Sequence, residues 1–253
     1  MASASPHPTR MSAKRFRGKL CVYCCDRPAT TADHIFAREF FVLGTRGNLP
    51  QVPACQECNN DKSKLEHYLT AVLPFGGCHA DAHENLVNLV PGRLAKNLRL
   101  HRELSAGSGR IWRMESGLFR ETMTLPIEPK KICALFSHAA RALVWHHWGA
   151  YLLRDQESEA LLLTNFGKEF FARLFTMNAA DRVKHDLGNR TISYSGVQAV
   201  DTPQLTIWRI QLYGGMAFSG DPAAPEEVAT EIGAITGPKR LVAMLAARAK
   251  NET

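Results

Sequence analysis

Two Cys-x-x-Cys pairs, Cys21/Cys24 and Cys55/Cys58, restrict the first part of this chain more than any other feature. A tight turn presents both sulfurs of such a pair on its inner side, so two pairs can close on one tetrahedral zinc ion with four thiolates. Four thiolates fill the shell. The zinc is therefore expected to brace the fold and to do no chemistry itself. Cys25 follows Cys24 directly, falls outside the repeated spacing and reads as a bystander. Seven cysteines in 253 residues are too few for a disulfide scaffold, and paired knuckles of this kind suit a reducing compartment, so the expected location is the cytoplasm. Residues 1–17 carry Ser, Pro and basic side chains without an apolar stretch. They read as a basic flexible tail, and their Arg- and Ser-rich, acid-free composition also matches a transit peptide. The uncharged runs fall short of the roughly 18–20 residues that a spanning helix needs, so no membrane association is expected.

The charge is unevenly placed. The whole chain has a net charge of +7, and residues 1–64 hold ten Lys and Arg against five Asp and Glu. A polyanion is the partner such a segment would attract. Arg15, Arg17, Lys19, Arg38, Lys62 and Lys64 are the candidate nucleic-acid contacts.

Periodicity gives a mixed α+β class. Asn59–Leu73 reads as a helix, and the breaker cluster Pro74-Phe75-Gly76-Gly77 marks a boundary. Beyond it, residues 76–253 are expected to form a larger α+β domain of their own, since they are long enough to bury a core. Within it, 85–104, 130–153 and 157–175 have helical spacing, 110–126 alternates as a hairpin around Ser116-Gly117, and 191–200 and 205–218 read as strands. Residues 225–250 have a helical pattern broken at Gly237-Pro238. Cys78-His79-Ala80-Asp81-Ala82-His83 lacks a fourth ligand for a second zinc, and His138, His146 and His147 read as core or boundary histidines.

Between the knuckles lies Ala32-Asp33-His34-Ile35, then Gly47-Asn48-Leu49, and after Cys58 comes Asn59-Asn60-Asp61-Lys62-Ser63. Cys-x-x-Cys, Asp-His-Ile, Asn-Leu and Cys-x-x-Cys-Asn-x-x-Lys-Ser in this order resemble the HNH endonucleases of the ββα-metal type that carry a zinc knuckle, over roughly residues 18 to 73. The resemblance implies a small zinc-braced nuclease domain, 18–75, that hydrolyses phosphodiester bonds. His34 would be the general base, since an imidazole titrates near neutral pH. Asp33 and Asn59 would hold one Mg²⁺ or Mn²⁺ through hard oxygens. Lys62, one helical turn after Asn59, would reach the same phosphate, and Asn48 would orient His34. Two departures bear on this. No proline follows Asp-His-Ile, where Phe36–Phe41 continues as an insert, and Asn48 lies eleven residues before Asn59. If Asn48 is only a turn residue, Gln51 or a backbone carbonyl holds the histidine. Asn59 is preferred over Asn60 as the ligand, because helix neighbours lie about 100° apart.

The expected substrate is DNA, with RNA equally compatible with these residues. The second expectation is a zinc-ribbon nucleic-acid-binding protein without nuclease activity. The C-terminal part would then supply target choice, activation, self-association or a partner-protein surface. By family analogy alone, such a chain suits a phage-defence or mobile-element protein.

Overall fold

The first knuckle, the hairpin, the second knuckle and the helix that starts in it follow one another along the chain. In the computed structural model, which describes residues 14–115, 117–177, 182–216 and 231–250, β1 (Thr31–His34) pairs antiparallel with β2 (Gln51–Ala54). The register sets Thr31 against Ala54, Asp33 against Val52 and His34 against Gln51. Helix α1 (Gln56–Val72) begins directly after Cys55, three residues earlier than the sequence suggests, so the second knuckle forms its first turn. Cys55 is the residue before that turn, and Asn59 N–H donates to its carbonyl at 3.0 Å.

Three short helices follow, α2 (Ala80–Asn88), α3 (Val90–Lys96) and α4 (Leu98–Gly107). The single helix expected over 85–104 is divided at Leu89 and at Asn97, whose side chain accepts from Leu100 N–H and starts the third piece. Proline at the second position of α3 needs no N–H there, so it starts a helix where it would break one. His79 Nδ1 accepts from Asp81 N–H and opens α2, a capping role in place of the second metal site. The expected hairpin is present as β3 (Gly109–Glu115) and β4 (Leu118–Thr124), with Gly117 at φ 80° in the turn; Ser116 lies outside the described residues.

Helix α5 (Pro129–Trp148) buries Ile132, Leu135, Phe136, Ala139, Ala140 and Leu143, the spacing that its sequence shows, and stops at Gly149 with φ 66°. It lies on one face of a five-stranded antiparallel sheet, ordered β5 (Gln156–Leu163), β9 (Glu231–Pro238), β8 (Thr206–Leu212), β7 (Ile192–Gln198) and β6 (Arg182–Leu187). Helices α6 (Asn165–Met177) and α7 (Lys239–Lys250) cover the opposite face through Phe171, Val242 and Ala246.

Two stretches read as helical, 157–175 and 225–250, each hold a strand ahead of their helix. In β5, Ala160 faces the α5 side while Leu161 and Leu163 face the α6–α7 side. Burial on both faces removes the alternation that identifies a strand. The same holds for Ile232, Ala234 and Ile235 of β9, so 225–250 divides into β9 and α7, with 217–230 outside the described residues. Strand β6 carries His185 and exposed charged residues on an edge and gives no apolar signal.

The boundary expected near residue 75 does not separate two cores. Ile35, Val52 and Leu69 from the hairpin and α1 share one apolar cluster with Phe136, Leu143, Tyr194 and Trp208. The insert 36–41 is the main connection. Phe36 packs on Phe136 and Tyr194 with ring centres 6.4 and 5.8 Å apart, Phe40 and Phe41 are fully buried, and Phe40's carbonyl accepts from Asn85 and Tyr213. The segment forms a 3₁₀ turn at 38–40, and a second follows it at 43–45. Part of the expected flexible tail is also fixed, since Phe16 is buried edge-on to Trp145 at 5.8 Å; residues 1–13 lie outside the described residues.

Candidate zinc-braced site

The four sulfurs of Cys21, Cys24, Cys55 and Cys58 all lie within 4.8 Å of one another, the only such metal-compatible group among the described residues. Zn–S bonds of about 2.3 Å in a tetrahedron imply sulfur separations of roughly 3.8 Å, so the donor set fits a metal ion such as zinc. Electrostatics agree. Burial raises the Cys21 thiol to about 11, and burial with the neighbouring Cys21 raises Cys58 further. At Cys24 burial acts upward too, but N–H donors of Arg27 and Asp26 and the Arg27 guanidinium outweigh it and bring the thiol down to about 6. Thiols crowded in this way resist joint ionisation until a cation neutralises them. Arg27 Nη2 donates to Cys58 Sγ at 3.4 Å and pairs with Glu57, which fixes the rim of the cluster.

Helix α1 packs against the hairpin face that carries Thr31 and Asp33. One turn apart on α1, Asn59 meets the first and Lys62 the second: Asn59 Nδ2 donates to Thr31 Oγ1 at 3.1 Å, and Lys62 Nζ lies 3.0 Å from Asp33 Oδ2. Asn60 turns outward to Gln56, so Asn59 is the asparagine that faces the hairpin. His67 is exposed on the same helix, and Asp61 pairs with Lys64.

Lys62 corrects two expectations. Its side chain is 0% exposed, so it reaches no phosphate and belongs to no nucleic-acid surface. Its ammonium instead satisfies three acceptors: Asp33 Oδ2, Glu66 Oε1 at 2.5 Å and the His34 carbonyl at 2.7 Å. Burial alone would lower the lysine; Asp33 and Glu66 more than offset it and raise it. Two carboxylates cannot both be matched by one buried ammonium, and burial leaves Glu66 raised to about 7. The Tyr23 hydroxyl donates to Asp33 Oδ2 at 2.5 Å, with His138 of α5 edge-on to the Tyr23 ring at 5.3 Å. Tyr23 and Glu66 carry no motif signal, although Glu66 stands one helical turn after Lys62. Lys62→Met is expected to cost about 3–5 kcal/mol, because it leaves Asp33 and Glu66 facing each other without a cation. Urea unfolding measures it; a loss below about 1 kcal/mol would contradict the network.

Asp33 and Asn59, as they stand, do not fit a divalent ion with its waters and a phosphate. Asp33 Oδ2 is taken by both Tyr23 and Lys62, whose ammonium occupies the place of a cation beside it, while Asn59 is turned by its Nδ2 contact to Thr31.

His34 is the last residue of β1, where its ring leaves the face occupied by Asp33. Gln51 lies opposite in the register, and its amide is 3.0 Å from His34 Nε2. Asn48 is displaced from the orienting role expected for it: it occupies a left-handed turn at φ 56°, three residues before the residue that touches the ring. Burial lowers the His34 pKa, Asp33 opposes this, and Arg38 and Lys62 add to it. The ring is therefore neutral at neutral pH. As the atoms stand, Gln51 Nε2 faces His34 Nε2, which places the neutral ring's proton on Nδ1; Nδ1 becomes the accepting nitrogen only with the Gln51 amide turned so that its Oε1 accepts from Nε2–H.

Arg15, Arg17, Lys19, Arg38 and Lys64 are exposed, as a polyanion surface requires. Lys19 lies over the Trp145 ring at 4.7 Å. No helix among the described residues is long and apolar enough to cross a membrane.

Acid stability has a separate source. Burial, reinforced by neighbouring bases, holds His138 and His147 down to about 4. Neutral rings favour the folded state above the ordinary histidine value of about 6.5, and that contribution is lost as pH falls toward 4. Glu66 has the opposite sign, its share being lost as pH rises from the ordinary carboxylate range through about 7. His138→Gln and His147→Gln should each flatten the acid limb by about 1–2 kcal/mol, allowing for partial solvent exposure. Urea unfolding across pH 6.5 to 4 measures the change, and unaltered slopes would refute the assignment.

Comparison with known proteins finds no matching family model, no matching curated protein and no matching solved structure.

Proposed function

We propose that the zinc-braced ββα unit is an HNH-type endonuclease centre that hydrolyses phosphodiester bonds in DNA, with His34 as the general base. The observation that carries this reading is the His34–Gln51 pair at the end of β1: a neutral imidazole, pinned at Nε2 at 3.0 Å, beside a helix that starts in a four-cysteine cluster. Such a ring takes a proton from water without a large pKa adjustment, and the fixed orientation lowers the cost of aligning it. Arg38, exposed on the turn that follows β1, supplies positive charge for the phosphate on the same side of the hairpin. The four-thiolate ion has no open position, so its contribution is to hold β1, β2 and the start of α1 together.

The resemblance assigns a Mg²⁺ or Mn²⁺ ion to Asp33 and Asn59. Activity that depends on such an ion requires Lys62 to leave Asp33. The closed Asp33–Lys62 pair therefore favours a second reading, a zinc-braced nucleic-acid-binding protein whose hydrolytic residues serve the fold. Incubating the full chain with supercoiled DNA, single-stranded DNA and RNA, with and without Mg²⁺ or Mn²⁺, separates the two. Turnover supports the first. Retention of nucleic acid without turnover in any condition supports the second.

A further inference from the structure

On the side of the hairpin that turns away from α1, a cavity of about 370 Å³ opens between β2, the end of α5, the edge strand β6 and its neighbour β7. Its polar lining is Arg15, Asn48, Gln51, His146, His185 and Tyr194. The lining contains no Asp or Glu. Three basic groups thus converge on one space without a facing acid, and burial, His185 and Arg15 all act on His146 in the same direction, against its charged form. An anion relieves that repulsion.

The remaining lining is suited to a ring. His185 and Tyr194, opposite each other in the β6–β7 register, stack at 26° and 5.5 Å, and Tyr194 is fixed by His147 Nε2 at 3.1 Å from its hydroxyl. The Asn48 and Gln51 amides are the groups that pair with base edges. The volume lies at the lower end of the roughly 300–1,000 Å³ common for small-molecule sites. Gln51 belongs to both places, since its amide touches His34 while its side chain lines the cavity.

We propose that this cavity binds a nucleotide, with its phosphate on Arg15, His146 and His185 and its base against the His185–Tyr194 wall and the two amides. The shared chemistry is a nucleoside phosphate, supplied either by a strand whose next phosphodiester meets His34 or by a free nucleotide acting as a ligand. The strand source rests on the endonuclease reading; the binding site itself does not.

The test is direct binding to the full chain carrying His34→Ala, so that no strand is consumed. The probes are adenosine 5′-monophosphate and a short single-stranded oligodeoxynucleotide, followed by calorimetry or fluorescence. Arg15→Gln and His146→Gln, both on exposed side chains, should each weaken binding by roughly tenfold, the scale of one charge-assisted hydrogen bond. Arg240→Gln, an equal charge change on exposed α7, should leave it unaltered. Loss confined to the oligonucleotide identifies the strand as the source, and loss with the mononucleotide identifies a free ligand; either supports the site. Affinities unmoved by the first two substitutions, or equally lowered by Arg240→Gln, would overturn it. Cleavage by the chain with His34 intact is scored apart, so absence of turnover with intact, Arg15-dependent binding sinks the hydrolytic reading alone.

Discussion

With a metal ion in the four-cysteine cluster, its withdrawal is expected to loosen the two knuckles and the first turn of α1 and to lower the Tm by 10 °C or more, on the scale of a few kcal/mol for a chain of this length. Zinc bound by four thiolates contributes on the order of 10–16 kcal/mol in small zinc domains. Less of that appears here, because Val52, Leu69 and Ile35 remain held by the shared core. The reason for the loss is local. Cys21 and Cys55 are buried, all four sulfurs crowd within 4.8 Å, and no apolar side chain takes the ion's place between them. The protein as purified should carry one zinc per chain by elemental analysis, and Cys58→Ala none. A Cys58→Ala protein that melts with the wild type would exclude a structural metal.

His34→Ala is expected to lower nucleic-acid cleavage by about 10² to 10⁴, the range for removing a general base, with zinc content and Tm retained. The fold should tolerate the change because only the His34 carbonyl serves the Lys62 network; the ring meets Gln51 alone in that role. Gln51→Ala should act through the ring. A smaller loss in rate, with the acid limb of the pH–rate profile displaced, marks a positioning residue, and Gln51→Glu should restore part of it by accepting from Nε2–H. Undiminished cutting by His34→Ala would refute the assigned base.

The cysteine spacing, Asp33-His34 and Asn59 are local patterns that the sequence shows plainly, while the β1–β2 register that sets Gln51 against His34 comes from the structure. What escaped is long-range. Nothing in Lys62 distinguishes a phosphate contact from a buried ammonium until Asp33, Glu66 and the His34 carbonyl are brought to it from three places. The sequence leaves both Asn48 and Gln51 open as the partner of His34, and the contact of the Gln51 amide with the ring decides between them. In the C-terminal part, the helical reading of β5 and β9 fails for a physical reason: strands covered on both faces lose their period of two. Helix α5, with one solvated side, shows its period plainly, and the hairpin β3–β4 is marked by its alternation around Ser116-Gly117 although its described side chains are largely exposed.

The interlocking of Phe36, Phe40 and Phe41 with α5, α2 and the sheet bears on how such a chain can be reshuffled. In many multidomain proteins a domain with a core of its own travels as a cassette through recombination. Here, excision near residue 75 would strip three aromatic rings and the underside of α1 of their cover. Exchange of the N-terminal unit therefore entails exchange of the scaffold beneath it, and substitutions on the two sides of this shared core are expected to be coupled.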